Sequence, residues 1–70
     1  MIGKKIKDYM DSKGISQTYI SNKTNIKLPK LNGKLNGKVR ITAEEFFIIC
    51  EALEADPIEI SEYQREEAKT

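Results

Sequence analysis

Two short segments with helical spacing of apolar residues, separated by only three residues, limit what this chain can fold into. The segments cover residues 17–24 and 28–35, and Asn25, Ile26 and Lys27 connect them. A connection this short makes two helices cross steeply. We therefore expect a helical corner in which Asn25 adopts a left-handed backbone conformation and Ile26 fills the angle between the helices.

Charge is divided unevenly along the chain. Residues 1–40 contain ten Lys and Arg against two Asp, whereas residues 41–70 contain two basic residues against nine acidic ones, so the net charge of +1 conceals the division. Such segregation separates a surface that faces a polyanion from the rest. Because the basic half contains the predicted helix-turn-helix, we expect it to face DNA. The acidic half would face solvent or a protein partner.

Capping residues predict five short helices and no strand. The expected boundaries are Gly14 after a first helix over residues 2–13, Ser16 before the second, Pro29 in the first turn of the third, Thr42 with Glu45 as a capping box before the fourth, and Asp56 with Pro57 before the fifth. The residues expected to face inward or to pack these helices are Ile2, Ile6, Tyr9, Met10, Lys13, Ile20, Thr24, Leu31, Leu35, Phe46, Ile49, Cys50, Leu53, Ile58, Ile60 and Tyr63.

Length and composition exclude several classes of protein. Seventy residues predict one domain, over residues 1–64, followed by a charged and frayed tail over residues 65–70. The chain has no histidine and a single cysteine, Cys50, so a His-based metal site, a Ser-His-Asp triad and an internal disulfide are all excluded. Neither a membrane-length apolar run nor a signal-peptide pattern is present, which favours the cytoplasm. We expect no cofactor and no metal.

Motifs distributed over residues 2–62 carry a family resemblance. They are Gly14-Ile-Ser-Gln-Thr with Ser21, then Asn25-Ile26, Leu31, Asn36-Gly37-Lys38, Ile41-Thr42 and Glu51-Ala-Leu53. This pattern resembles the Cro-like, phage-repressor type of helix-turn-helix domain, also called the xenobiotic-response-element type. The resemblance implies an all-α, lambda-repressor-like domain that binds double-stranded DNA in a bacterial cytoplasm and is nucleoid-associated when bound. It further suggests a phage or mobile-element repressor that acts by promoter occlusion.

The same resemblance assigns residues to two kinds of DNA contact. Base reading falls on the start of the third helix and one turn later, at Lys27, Leu28, Pro29 and Gly33, flanked by Lys30 and Asn32. Phosphate contact falls on Gln17, Asn36, Lys38 and Arg40, to which we add Lys34 because it lies among the clustered lysines.

The predicted reading face departs from the family pattern because Leu28, Pro29 and Gly33 have no side chains that hydrogen-bond. Apolar groups recognise the thymine methyl in the major groove, so we expect this contact from Leu28 and Pro29. Asn32 could reach adenine if it rotates outward. For Lys27 and Lys30, a contact with guanine and a contact with phosphate are both open. Gly33 is unfavourable within a helix, which indicates either a close approach to its backbone or drift. Many relatives also have an Arg–Glu ion pair where this chain has Met10 and Leu35, and we expect an apolar contact there.

The sequence also bears on oligomeric state and on two other function classes, a protein-interaction module and an enzyme. A small module reads few base pairs, so we expect a homodimer at least on DNA, with candidate contacts at Phe47, Ile48, Ile58 and Tyr63. The alternative function is a protein-interaction module, such as an antitoxin or anti-repressor partner, that docks through the acidic half. Enzymatic function is not expected because the adjacent glutamates at 44–45 and 66–67 diverge on a helix and cannot share a substrate.

Overall fold

Helix boundaries follow the capping residues in the computed structural model, which describes residues 2–63. The helices are α1 (Ile2–Lys13), α2 (Gln17–Thr24), α3 (Leu28–Leu35), α4 (Ala43–Leu53) and α5 (Pro57–Ser61). Within residues 2–63 there is no strand, which confirms the all-α prediction. The tail predicted to fray, residues 65–70, lies outside the described residues.

The predicted caps form specific hydrogen bonds. Ser16 Oγ accepts from the Tyr19 N–H at 3.1 Å, and Asp56 Oδ1 accepts from the Ile58 N–H at 2.9 Å. In the capping box, Thr42 Oγ1 accepts from the Glu45 N–H at 3.1 Å while Glu45 Oε1 accepts from the Thr42 N–H at 3.0 Å. Each bond satisfies a backbone donor that has no partner within its helix.

Apolar side chains from all five helices form one core. Its buried members are Ile6, Tyr9, Met10, Ile20, Leu31, Leu35, Ile49, Cys50, Leu53 and Ile60. Helix α1 packs against α3 and α5, while α2 packs against α3 and α4. Met10 and Leu35 both belong to this core, so apolar burial takes the place of the Arg–Glu pair expected in relatives. Burial raises the pKa of the Cys50 thiol, which remains neutral.

Two inward assignments are wrong. Lys13 is exposed because its long side chain keeps the ammonium in water, 5.5 Å from the centre of the Tyr9 ring. Ile58 is 65% exposed because α5 is short and turns only one side, that of Ile60, toward the core.

Gly3 brings α1 unusually close to the end of α3. A Cβ atom at this position would collide with the backbone carbonyl of Lys34, which cannot move aside as a flexible side chain can. The spacing of apolar residues does not indicate this contact. Gly3 therefore determines how tightly α1 lies against the helix of the predicted reading face.

Gly3→Ala is expected to lower the free energy of unfolding by about 1–3 kcal/mol, the usual range for overpacking. Gly33→Ala is the matched control, because a Cβ there would meet only a methyl of the exposed Val39, at 3.3 Å. Since Ala favours a helix over Gly, the control should be neutral or more stable by up to about 1 kcal/mol. Urea denaturation measures both, and equal stability of the two variants would contradict the proposed collision.

Candidate nucleic-acid interface

The corner between α2 and α3 is held by hydrogen bonds within its own turn. Asn25 adopts the left-handed conformation, with φ of 66°, as predicted. The Ser21 hydroxyl donates to the Ile26 carbonyl at 2.6 Å, and Thr24 Oγ1 accepts from the Ile26 N–H at 3.2 Å. Both bonds hold Ile26, the middle residue of the connection, against the end of α2, directly before α3 begins.

Helix α3 turns its first residues outward and its leucines inward. Leu31 and Leu35 are fully buried, whereas Leu28 is 40% exposed and is accompanied on the surface by Lys27, Pro29 and Lys30. No residue between 12 and 43 is acidic. The outward turn of α3 therefore presents apolar groups beside cations, and no carboxylate of its own segment competes for them.

Gly33 is half-buried, and the loop after α3 folds back onto it. The Gly33 carbonyl accepts from the Lys38 N–H at 2.9 Å and from the Val39 N–H at 3.2 Å. A methyl group of Val39 lies 3.3 Å from the point where a Cβ atom of residue 33 would stand. The same loop leaves Lys38 and Arg40 exposed beside the end of α3.

Three amide side chains form a connected row across α2 and α3. Asn32 donates through Nδ2 to Gln17 Oε1 at 3.2 Å. Asn36 donates through Nδ2 to Asn32 Oδ1 at 3.0 Å. All three residues had been assigned to DNA separately, and nothing in the sequence indicated that their side chains meet.

Lys34 departs from its predicted role as a phosphate contact. It is only 4% exposed, and its ammonium donates to Glu45 Oε1 at 2.9 Å and to the Arg40 carbonyl at 3.1 Å. A buried ammonium with these partners is not available to a phosphate, so the assignment is corrected. Lys34 instead joins α3 to the start of α4.

Comparison with known proteins identifies the domain. A family model for the Cro/C1-type helix-turn-helix DNA-binding domain matches residues 5–66. The chain belongs to this family. Comparison with curated proteins and with solved structures gave no significant match.

Membership makes this Cro/C1-type chain a DNA-binding domain of a regulatory family, and it agrees with the five-helix fold. None of the helices in residues 2–63 has the length and apolar character needed to cross a membrane. Over the same residues, Cys, Asp and Glu form no group of three or more that could hold a metal ion.

The dimer candidates of the Cro/C1-type domain differ in their availability. Phe47 is 57% exposed, and Ile48 and Ile58 are also on the surface. Tyr63 is half-buried, and its ring packs edge-on against Tyr9 with centroids 5.7 Å apart. Because that ring already packs within the domain, less of Tyr63 is available at the surface than of the other three candidates.

Glu45 should make the domain sensitive to acid. The Thr42 N–H and the Lys34 ammonium stabilise its carboxylate and hold the pKa below the ordinary value of 4.5. A carboxyl whose pKa is lowered by folding contributes stability above its unfolded pKa, and this contribution is lost as the pH falls through the folded value. Glu45→Gln keeps a capping side chain but leaves Lys34 without an anion. We therefore expect the variant's free energy of unfolding at pH 7 to be lower than that of the wild type by about 1–3 kcal/mol. That difference from the wild type should shrink below pH 4.5.

Chemical denaturation at pH 3 to 8 measures the effect. Glu44→Gln is the control, because Glu44 is exposed and takes no part in the pair with Lys34. An equal effect of the two variants across this pH range would contradict a role for the ion pair.

Proposed function

We propose that the chain is a sequence-specific transcriptional regulator that represses by occluding a promoter, in the bacterial cytoplasm and in a phage or mobile genetic element. One observation carries the proposal. The outward first turn of α3 lies in a segment, residues 12–43, that contains seven basic and no acidic residues. Of these cations only Lys34 is buried, and those on or next to α3 that are exposed are Lys27, Lys30, Lys38 and Arg40.

The proposed complex places α3 in the major groove. Leu28 and Pro29 would contact thymine methyl groups, and Lys27 and Lys30 would contact guanine or a neighbouring phosphate. Gln17, Asn36, Lys38 and Arg40 would bind the sugar-phosphate backbone. Gly33, already covered in part by Val39, would allow a close approach of the helix without contributing a base contact of its own.

A homodimer is proposed for the DNA-bound state. One domain of this size reads a single short half-site, and two half-sites one helical turn apart give the length needed for specificity and for occlusion. Exposed Phe47, Ile48 and Ile58 supply apolar surface for the second copy. Sedimentation with and without selected DNA tests this, and a monomer in both conditions would exclude the dimer.

A second candidate function is favoured by the same exposed apolar residues. Phe47 and Ile58 lie in the acidic half of the chain, which suits a protein partner better than DNA. Enrichment of random DNA on the purified protein at two salt concentrations separates the two functions. A preferred site that persists at higher salt supports the regulator. Binding only at low salt, without a preferred site, supports the protein-interaction module.

Lys38→Ala should weaken binding to selected and random DNA equally, because Lys38 is assigned to a phosphate. The logarithm of the binding constant falls by about 0.9 per contacted phosphate for each tenfold rise in salt. We expect a slope steeper than about −3 for the wild-type dimer, and a shallower slope, by about 0.9 per subunit, for the variant.

Lys23→Ala provides the matched loss of charge. Lys23 is exposed on α2 but lines a groove with Ile48 and Glu51 of α4, on the side of the acidic half. Fluorescence anisotropy over a series of salt concentrations gives both slopes. If Lys23→Ala and Lys38→Ala have the same effect, the phosphate contact is not at Lys38.

Leu28→Ala should change sequence preference rather than overall affinity. If Leu28 covers a thymine methyl, wild-type protein should lose about fourfold in affinity when that thymine is replaced by uracil, which corresponds to about 0.8 kcal/mol for one buried methyl group. The variant should bind the thymine and uracil forms of the selected site equally well. Equal discrimination by both proteins would remove Leu28 from base reading.

A further inference from the structure

We infer that Asn32 is a positioning residue that orients Gln17 toward a DNA phosphate and does not read a base, an inference that rests on the proposed function. The amide row of Gln17, Asn32 and Asn36 carries it. Asn32 stands in the middle of this row and is the one member with a hydrogen bond on each side.

The hydrogen bonds of Asn32 determine which atoms of Gln17 face outward. Gln17 Oε1 accepts from Asn32 Nδ2, so the oxygen of the Gln17 amide is occupied within the protein. Its NH₂ group is then left as the free end, and NH₂ is the end that can donate to a phosphate oxygen. Without Asn32 the Gln17 amide is free to turn, and in the turned orientation it presents an oxygen, which cannot donate to the phosphate.

The same bonds leave Asn32 poorly placed for adenine. Recognition of adenine uses the amide oxygen and the NH₂ group of one side chain together, on N6 and N7 of the base. Asn32 Oδ1 already accepts from Asn36 Nδ2, and one Nδ2 hydrogen is donated to Gln17. Outward rotation toward a base would break both bonds. The expectation that Asn32 contacts adenine is therefore replaced by a role within the protein.

The row also links the two helices that would hold the DNA. Gln17 begins α2, Asn32 lies within α3, and Asn36 follows the end of α3. A bond between side chains 15 residues apart in sequence fixes the Gln17 amide relative to the groove-facing turn of α3. The bond thereby keeps the residue that contacts a phosphate at a fixed position relative to the residues that contact bases. Because the row lies on the surface, its removal is not expected to unfold the domain.

A double-mutant cycle tests the inference. Asn32→Ala, Gln17→Ala and the double variant are compared with wild type by anisotropy, on one selected site and one random duplex at the same salt concentration. Asn32→Ala should weaken binding to both duplexes about 2- to 10-fold, the range for one hydrogen bond. In the Gln17→Ala background, adding Asn32→Ala should leave the affinity nearly unchanged, because Asn32 acts through Gln17.

Asn22→Ala is the matched control, since Asn22 is exposed on α2 and belongs to no bond of the row. It should leave affinity unchanged. In the free protein, Asn32→Ala should also shift the side-chain amide resonance of Gln17, and Asn22→Ala should not. Thermal unfolding of each variant verifies that the fold is retained.

Three outcomes would overturn the role of Asn32: additive losses in the cycle, loss of preference at a single base pair, or full affinity in Asn32→Ala. If wild-type protein binds the two duplexes and Lys38→Ala weakens that binding, the proposed function stands while the inference fails on its own. If wild-type protein binds neither duplex even at low salt, the inference fails together with the proposed function.

Discussion

The three-residue connection between α2 and α3 is the constraint on which the other features depend. A connection of three residues makes the two helices cross steeply, and Asn25 turns the chain there by adopting a left-handed conformation. The bond from the Ser21 hydroxyl to the Ile26 carbonyl then holds the connection against α2, two residues before α3 begins. Leu31 and Leu35 enter the core and Leu28 is left on the surface. The surface offered to DNA is thus a consequence of how the corner closes.

Much of the fold could be predicted because its determinants are local. Ser16, Thr42 and Asp56 cap helices that begin next to them, and Gly14 takes its positive φ directly after α1. The close approach at Gly3 could not be predicted, because its partner is a carbonyl 31 residues away on another helix. Periodicity shows which face of a helix is apolar, but not how near the neighbouring backbone comes.

The candidate site was predictable as a surface but not as a set of contacts. The uneven distribution of charge and the helical spacing located the basic corner, yet they did not show which of its lysines is buried. Lys34 follows Leu31 by three positions and therefore lies on the buried side of α3, a signal that was present in the sequence but was outweighed by the clustering of charge. The bond from Asn32 to Gln17 depends on side-chain rotamers across two helices, which no sequence pattern specifies.

Glu45 makes two interactions that restrict how the DNA specificity of this domain can be changed. It caps α4 and also neutralises Lys34 at the end of α3. A foreign recognition sequence grafted onto residues 27–30 would leave both the cap and the ion pair intact. A graft that replaces the whole of α3 must retain a cation at position 34, or the Glu45 carboxylate loses the ammonium with which it pairs. Changes of target are therefore easiest in the first turn of the helix, whose exposed side chains have no part in the pair of Lys34 with Glu45.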